Sequence, residues 1–145
     1  MATTEQIIDA LWRAARGVQA YRDLPEGLRR AHLYVLHAID ELGGTARVTD
    51  IAAKTLVAMP NMTKLLKETD AAGWTTRSSI PTDRRTLMVS ITPTGSKCLN
   101  RYYREYIETI GQHLDPDSNP HYDVMIQAID QALAAIEQAN AATRE

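Results

Sequence analysis

Residues 45–95 read TARVTDIAAKTLVAMPNMTKLLKETDAAGWTTRSSIPTDRRTLMVSITPTG, and the fold is decided within them. Ile51, Ala52 and Thr55 recur at helical spacing, which predicts a short helix over about Thr49 to Leu56. A second helix is predicted from Met59 or Pro60 to Gly73. On a wheel of roughly 100° per residue its Met62, Leu65, Leu66 and Thr69 fall on one side. The period then changes. Trp74 to Ile80 and Thr86 to Thr92 are rich in aromatic and β-branched residues, and in the second run Leu87, Val89 and Ile91 alternate with polar neighbours. Pro81-Thr82-Asp83-Arg84-Arg85 lies between them, so a hairpin with a charged tip is expected.

The flanks read as helices. Thr3 and Gln6 fit a capping box, followed by Ile7, Ile8, Leu11, Ala15 and Val18, a pattern that fades near Tyr21. Leu24-Pro25-Glu26-Gly27 is a break. A helix from about Leu28 carries Leu33, Leu36 and Ile39 on one face and ends at Gly43-Gly44, where glycine tolerates positive φ. Thr92-Pro93 fits an N-cap followed by first-turn proline. The long fifth helix that follows carries Leu99, Tyr103, Tyr106, Ile110 and Leu114. After a loop over Asp115 to Pro120, Asn119-Pro120 opens a sixth helix with Tyr122, Ile126, Ile129, Leu133 and Ile136. Such a stripe on a terminal helix needs another helix to cover it.

Two short helices joined by a tight turn and followed by a hairpin make a winged helix-turn-helix. The expected fold is therefore mainly α with a small β-hairpin wing. Residues 45–92 are expected to form this DNA-binding lobe, flanked by helical regions at 1–44 and 93–145, which the family resemblance given below implies are a dimerisation region.

Composition is consistent with this. The chain has 145 residues, 44% hydrophobic and 23% charged, as in an ordinary globular protein. Its net charge of −2 argues against nucleic-acid binding until the distribution is considered. Residues 45–95 hold seven basic residues against four acidic ones, a net of +3, and the remainder carries −5. No apolar run approaches the ~20 residues needed to cross a bilayer. Met1 to Gln6 does not read as a signal peptide, and the single cysteine, Cys98, cannot form an intramolecular disulfide, so the cytoplasm is expected.

Opposite the apolar side of the second short helix fall Pro60, Lys64 and Lys67, flanked by Asn61, Thr63 and Glu68. Lysine can donate to guanine or phosphate, asparagine can read adenine, and a threonine methyl can touch thymine. A solvated helix face is the plainer reading of this helix alone. The two arginines of the hairpin tip add to the case, because a projecting arginine suits the concentrated negative potential of a narrow minor groove. The plainer alternative is a solubilising turn. Asp83 is placed to pin one guanidinium and shape the loop.

Ile51-Ala52, Asn61-Met62-Thr63-Lys64-Leu65, Ala72-Gly73-Trp74, Asp83-Arg84-Arg85 and Val89-Ser90-Ile91-Thr92-Pro93-Thr94-Gly95, in that order, resemble the multiple-antibiotic-resistance regulator (MarR) family. The likeness is densest over Thr45 to Gly95. It implies a recognition helix in the major groove bearing Asn61, Thr63, Lys64 and Lys67. It implies wing residues Asp83 and Arg85, with Arg84 a second contact, and dimerisation by the first, fifth and sixth helices. The resemblance further implies a twofold-symmetric regulator, usually a repressor, on a pseudo-palindromic operator of double-stranded DNA. Many members are released from DNA by a small aromatic or anionic effector bound between the two parts.

The chain departs from the family at three points. Ala58, preceded by Val57, stands where a polar cap is usual, Met59-Pro60 replaces polar or basic residues, and Arg47 occupies a hydroxyl-cap position. The third helix is therefore expected to start late or to use Thr49.

For an effector, Trp12, Arg16, His32 and His37 are the candidate contacts, since aromatic faces and a cation suit a phenolic or carboxylate compound. Core packing for Trp12 and a surface ion pair for Arg16 compete with that reading. Cys98 has no resolving partner and reads as a buried structural cysteine. His32, His37, His113 and His121 form no compact ligand pair, so neither metal nor cofactor is expected. No phosphate loop, nucleophile elbow or zinc-protease motif is present, and an enzyme is not expected. The rival function is a winged-helix protein-interaction module without sequence-specific DNA binding.

Overall fold

The computed structural model describes residues 1–19 and 24–144. Tyr21, where the first helix was expected to fade, lies outside the described residues. The described parts of 1–23 and 111–145 form one compact unit, and residues 24–110 form the other.

In the first unit, α1 spans Thr4–Gln19 and opens on the expected capping box. The Thr3 N–H donates to Gln6 Oε1 at 2.9 Å, and the Gln6 N–H donates to Thr3 Oγ1 at 3.2 Å. The last helix, α7, spans His121–Ala142. Its start is braced by the Asn119 side chain, which accepts from the His121 N–H at 3.0 Å. Both helices leave large apolar side chains in the open: Trp12 is 69% exposed and Val124 64%, with Val18, Met125, Ile126 and Leu133 also exposed.

The second unit begins with α2 (Arg30–Glu41), two residues later than its sequence suggests, because a turn from Pro25 to Leu28 takes up the chain first. Gly43 and Gly44, at φ 99° and 90°, end the helix as anticipated. They deliver a strand that the sequence does not announce, β1 (Thr45–Arg47), too short to display an alternation. It is followed by α3 (Val48–Thr55) and α4 (Met59–Ala71). Then come β2 (Thr75–Ile80) and β3 (Asp83–Ile91). The sheet is three-stranded and antiparallel in the order β1-β3-β2, with Ala46 opposite Val89 and Arg77 opposite Val89 on the other side. The hairpin is thus part of a larger sheet, with β3 at its centre.

One core holds this unit together. Val35, Ala38 and Ile39 of α2 meet Ala46 of β1, Ile51 and Ala52 of α3, Met62, Leu65 and Leu66 of α4, and Val89 of β3. Each large side chain removed from water in this way contributes roughly 1.5–3 kcal/mol. Thr55 is only half-buried; its hydroxyl donates to the Ile51 carbonyl at 2.7 Å.

The expected long fifth helix is α5 (Pro93–Leu99), a π-helical turn (Asn100–Arg104) and α6 (Glu105–Leu114) in succession. Thr92 caps α5 as read from the sequence, its Oγ1 accepting from the Gly95 N–H at 3.0 Å. The wide turn puts the Tyr103 ring 4.5 Å from that of His37 and lets Arg104 pair with Asp40 of α2.

Candidate nucleic-acid interface

The apolar stripe of α4 decides which of its faces is free. Met62, Leu65, Leu66 and Thr69 are buried in the core, so Pro60, Asn61, Thr63, Lys64 and Lys67 face outward and are exposed. Lys64 and Lys67 have no ion-pair partner among the described residues, and the helix face is cationic. The Thr63 hydroxyl donates back to the Met59 carbonyl at 3.0 Å, which commits its proton within the helix. Glu68 on the flank is drawn away by Arg29 and His32 of the preceding segment and does not neutralise the lysines.

Helix α4 starts without help from a side chain. Ala58 is the N-cap and has no oxygen to offer, and Pro60 fits the first turn because the N–H it lacks would be unpaired there. Its far end is held by a buried polar knot. Thr69 and Thr75 share a hydrogen bond of 2.8 Å, the Thr75 hydroxyl reaches Asp70 Oδ1 at 2.6 Å, and Arg77 Nε donates to Asp70 Oδ2 at 2.5 Å. This knot ties α4 to the first strand of the wing.

At the wing, two expectations are corrected. The turn is shorter than Pro81–Arg85, since Ile80 already pairs with Asp83, and Arg84 and Arg85 lie on β3. Between the Ser79–Leu87 and Ile80–Asp83 pairs residues 84–86 bulge out of register, and of the two exposed arginines only Arg85 borders the cleft beside α4. Nor does Asp83 pin a guanidinium. Its carboxylate accepts the Arg85 backbone N–H at 3.1 Å and the Thr86 hydroxyl at 2.6 Å, which shapes the turn from within. The Thr86 hydroxyl and that N–H, with the charge of Arg47 further off, hold the Asp83 carboxyl below its usual range. The Arg84 and Arg85 side chains have no hydrogen-bond or ion-pair partner among the described residues.

Arg47 is a further departure from expectation. The third helix neither starts late nor uses Thr49 as its cap: it starts at Val48 with Arg47 as N-cap, and no side-chain bond closes it.

The four candidate effector contacts fall in different surroundings. Trp12 and Arg16 lie on α1, in the first unit. His32 is buried with both ring nitrogens engaged, Nδ1 by the Arg29 N–H at 3.0 Å and Nε2 by Glu68 at 2.6 Å. His37 Nε2 meets Glu41 at 3.1 Å, while its Nδ1 is buried without a hydrogen-bond partner among the described residues. It borders a cleft of about 360 Å³ that also takes in Tyr34, Glu41, Lys54 and Val57. Glu41 is held below the ordinary carboxylate range by Lys54 first and by His37 second. No group of His, Cys, Asp and Glu able to hold a metal occurs among the described residues. Among them, too, no helix is long and apolar enough to cross a membrane.

An exposed cationic helix beside an arginine-bearing hairpin defines a winged helix-turn-helix. Residues 26–86 match the profile of the MarR family. Its members are transcription regulators and not enzymes. The fold is shared with the Bordetella bronchiseptica regulator BpsR, whose DNA binding is regulated by 6-hydroxynicotinic acid (23% identity, 89% of this chain and 98% of that one, TM-score 0.69). It is shared also with Streptococcus pneumoniae FabT, solved in complex with DNA (14% identity, 94% and 99%, TM-score 0.72). A third is the Streptomyces coelicolor MarR-family regulator AbsC (21% identity, 96% of each chain, TM-score 0.67). A comparison with curated protein sequences gives no match.

Proposed function

We propose that the protein is a sequence-specific, homodimeric DNA-binding repressor of the cytoplasm that recognises a pseudo-palindromic operator. The observation that carries this reading is the outward face of α4, where Asn61, Lys64 and Lys67 stand exposed and unpaired beside Arg85 of the wing. Pro60, Asn61, Thr63, Lys64 and Lys67 meet the major groove; Asp83 shapes the wing, and Arg84 and Arg85 meet the minor groove and its rim. The uncovered apolar side chains of α1 and α7 support dimerisation, since a monomer gains nothing by exposing Trp12, Val18, Val124 and Ile126. Paired lobes would then set recognition helices about 34–36 Å apart, one turn of B-form DNA.

Release by a small aromatic or anionic effector belongs to the same reading. His37, with its open ring nitrogen, supports such a role better than His32, whose nitrogens are both engaged; Trp12 and Arg16 are the candidate contacts on α1. Binding as a population shift toward an arrangement that no longer fits the duplex would suffice.

Selection of bound duplexes from a random library tests this function. A two-half-site motif, with log affinity falling by ~0.9 per phosphate neutralised as log salt rises, is the expected result. Weak, salt-insensitive binding without a motif would instead favour the protein-interaction module.

A further inference from the structure

Between the wing and the start of α4 lies a cleft of about 350 Å³, walled by Arg47, Thr49, Thr63, Arg77 and Arg85. No carboxylate borders it. Arg77 is neutralised by Asp70, although its Nη2 is buried without a hydrogen-bond partner among the described residues. The guanidinium groups of Arg47 and Arg85 have neither a hydrogen bond nor an ion pair within the described part of the chain. The cleft therefore carries two positive charges with no bonded counter-charge, that of Arg47 felt only at longer range by Asp83, and, from Arg77, a further donor.

The position of Arg47 makes this more telling. It is the N-cap of α3, where a side-chain oxygen normally accepts the N–H of the second or third helical residue. A guanidinium has no acceptor, and a cation at the positive end of a helix dipole is unfavourable. The amides of the first turn of α3 thus keep their capacity to donate outward, next to a cation. Both features become favourable together once an oxyanion sits in the cleft.

Geometry identifies the anion. A helix in the major groove and a hairpin in the adjacent minor groove are separated by one sugar–phosphate strand, which must cross the space between them. Here that space is this cleft. We propose that it seats one backbone phosphate of duplex DNA in each subunit, with Arg47 and Arg85 as its cationic ligands. The inference rests on the DNA-binding reading and adds to it a residue, Arg47, outside both the recognition helix and the wing.

The test is fluorescence anisotropy with the library-selected duplex across a salt series, for the wild type, Arg47→Ala and Arg47→Lys. Arg47→Ala should flatten the slope of log affinity against log salt by ~0.9 per subunit, with the selected motif unchanged. Arg47→Lys, which keeps the charge, should restore the slope, so loss of charge is separated from loss of fold. A neutral methylphosphonate at one linkage per half-site should weaken the wild type and leave Arg47→Ala no weaker than before. An unchanged slope in Arg47→Ala, or a changed motif, overturns the phosphate seat while leaving the DNA-binding reading intact. A wild type that binds no duplex overturns both.

Discussion

His32 Nε2 lies 2.6 Å from the Glu68 carboxylate and joins the N-terminal turn of α2 to the flank of α4. Because Nδ1 accepts the Arg29 N–H, the neutral ring carries its proton on Nε2 and donates it to Glu68. Arg29 pairs with the same carboxylate, and the Trp74 ring packs 5.5 Å from the imidazole. One buried side chain thus braces a helix start and fixes α4 at once. His32→Ala removes both bonds and leaves a void, so we expect a loss of roughly 1–3 kcal/mol in urea unfolding. DNA affinity should fall with it, because α4 loses an anchor. An unchanged unfolding midpoint would show that the link contributes nothing.

The same contact gives stability a defined pH dependence. The His32 hydrogen bond, followed by that of Arg29, lowers the Glu68 carboxyl below its ordinary value of 4.5. A carboxyl lowered on folding stabilises the native state above its unfolded value, and the contribution disappears as pH falls through the folded value. Wild type should therefore exceed Glu68→Gln in stability above pH ~5, and the gap should close on acidification below pH ~4. Paired denaturation curves at several pH values check this. A gap of constant size down to pH ~3 would contradict it.

Gly95 is required by contact. A Cβ there would come within 2.1 Å of the Trp74 carbonyl oxygen, which already accepts the Thr92 N–H at 2.9 Å. The clashing atoms belong to the Trp74 backbone, which has little room to yield. Gly95→Ala should cost at least about 1–3 kcal/mol, as overpacking does, and should lower the thermal midpoint clearly.

Arg84 and Arg85 are neighbours in sequence and both exposed, but of the two only Arg85 borders the cleft beside α4. Arg85→Ala should weaken DNA binding more than Arg84→Ala, with little change in unfolding midpoint for either exposed residue. Equal losses in electrophoretic shifts would contradict the division of labour. Lys64→Ala should change the selected motif or its affinity, and identical motifs with unchanged affinity would remove it from the interface.

Burial raises the Cys98 thiol above its ordinary value. The thiolate is the reactive form, so native Cys98 should react slowly with iodoacetamide at neutral pH, and unfolding in urea should accelerate it well beyond that rate. Rapid native labelling would mean that the thiol is open and poised.

What the sequence by itself determined follows from local periodicity. The 3.6-residue stripe over Met62, Leu65, Leu66 and Thr69 identified the buried face of α4, and with it Lys64 and Lys67 on the outer face. The alternation through Leu87, Val89 and Ile91 identified a strand, and Thr92 with Pro93 marked a helix start. These are relations between residues a turn or less apart, visible without knowing what they pack against. Strand β1 escaped because three residues cannot display a period, and it exists only through pairing with Ser90, Val89 and Met88. The extension of β3 to Asp83 escaped because Asp-Arg-Arg has turn-like composition, and the strand reaches Asp83 only through its pairing with Ile80 beyond a bulge over residues 84–86. The tertiary structure alone decided that Glu68 answers to His32, 36 residues away, and leaves the lysines unopposed. It alone brought Arg47 and Arg85 to one cleft. Such partnerships arise from packing between elements distant in sequence, and no local pattern encodes them.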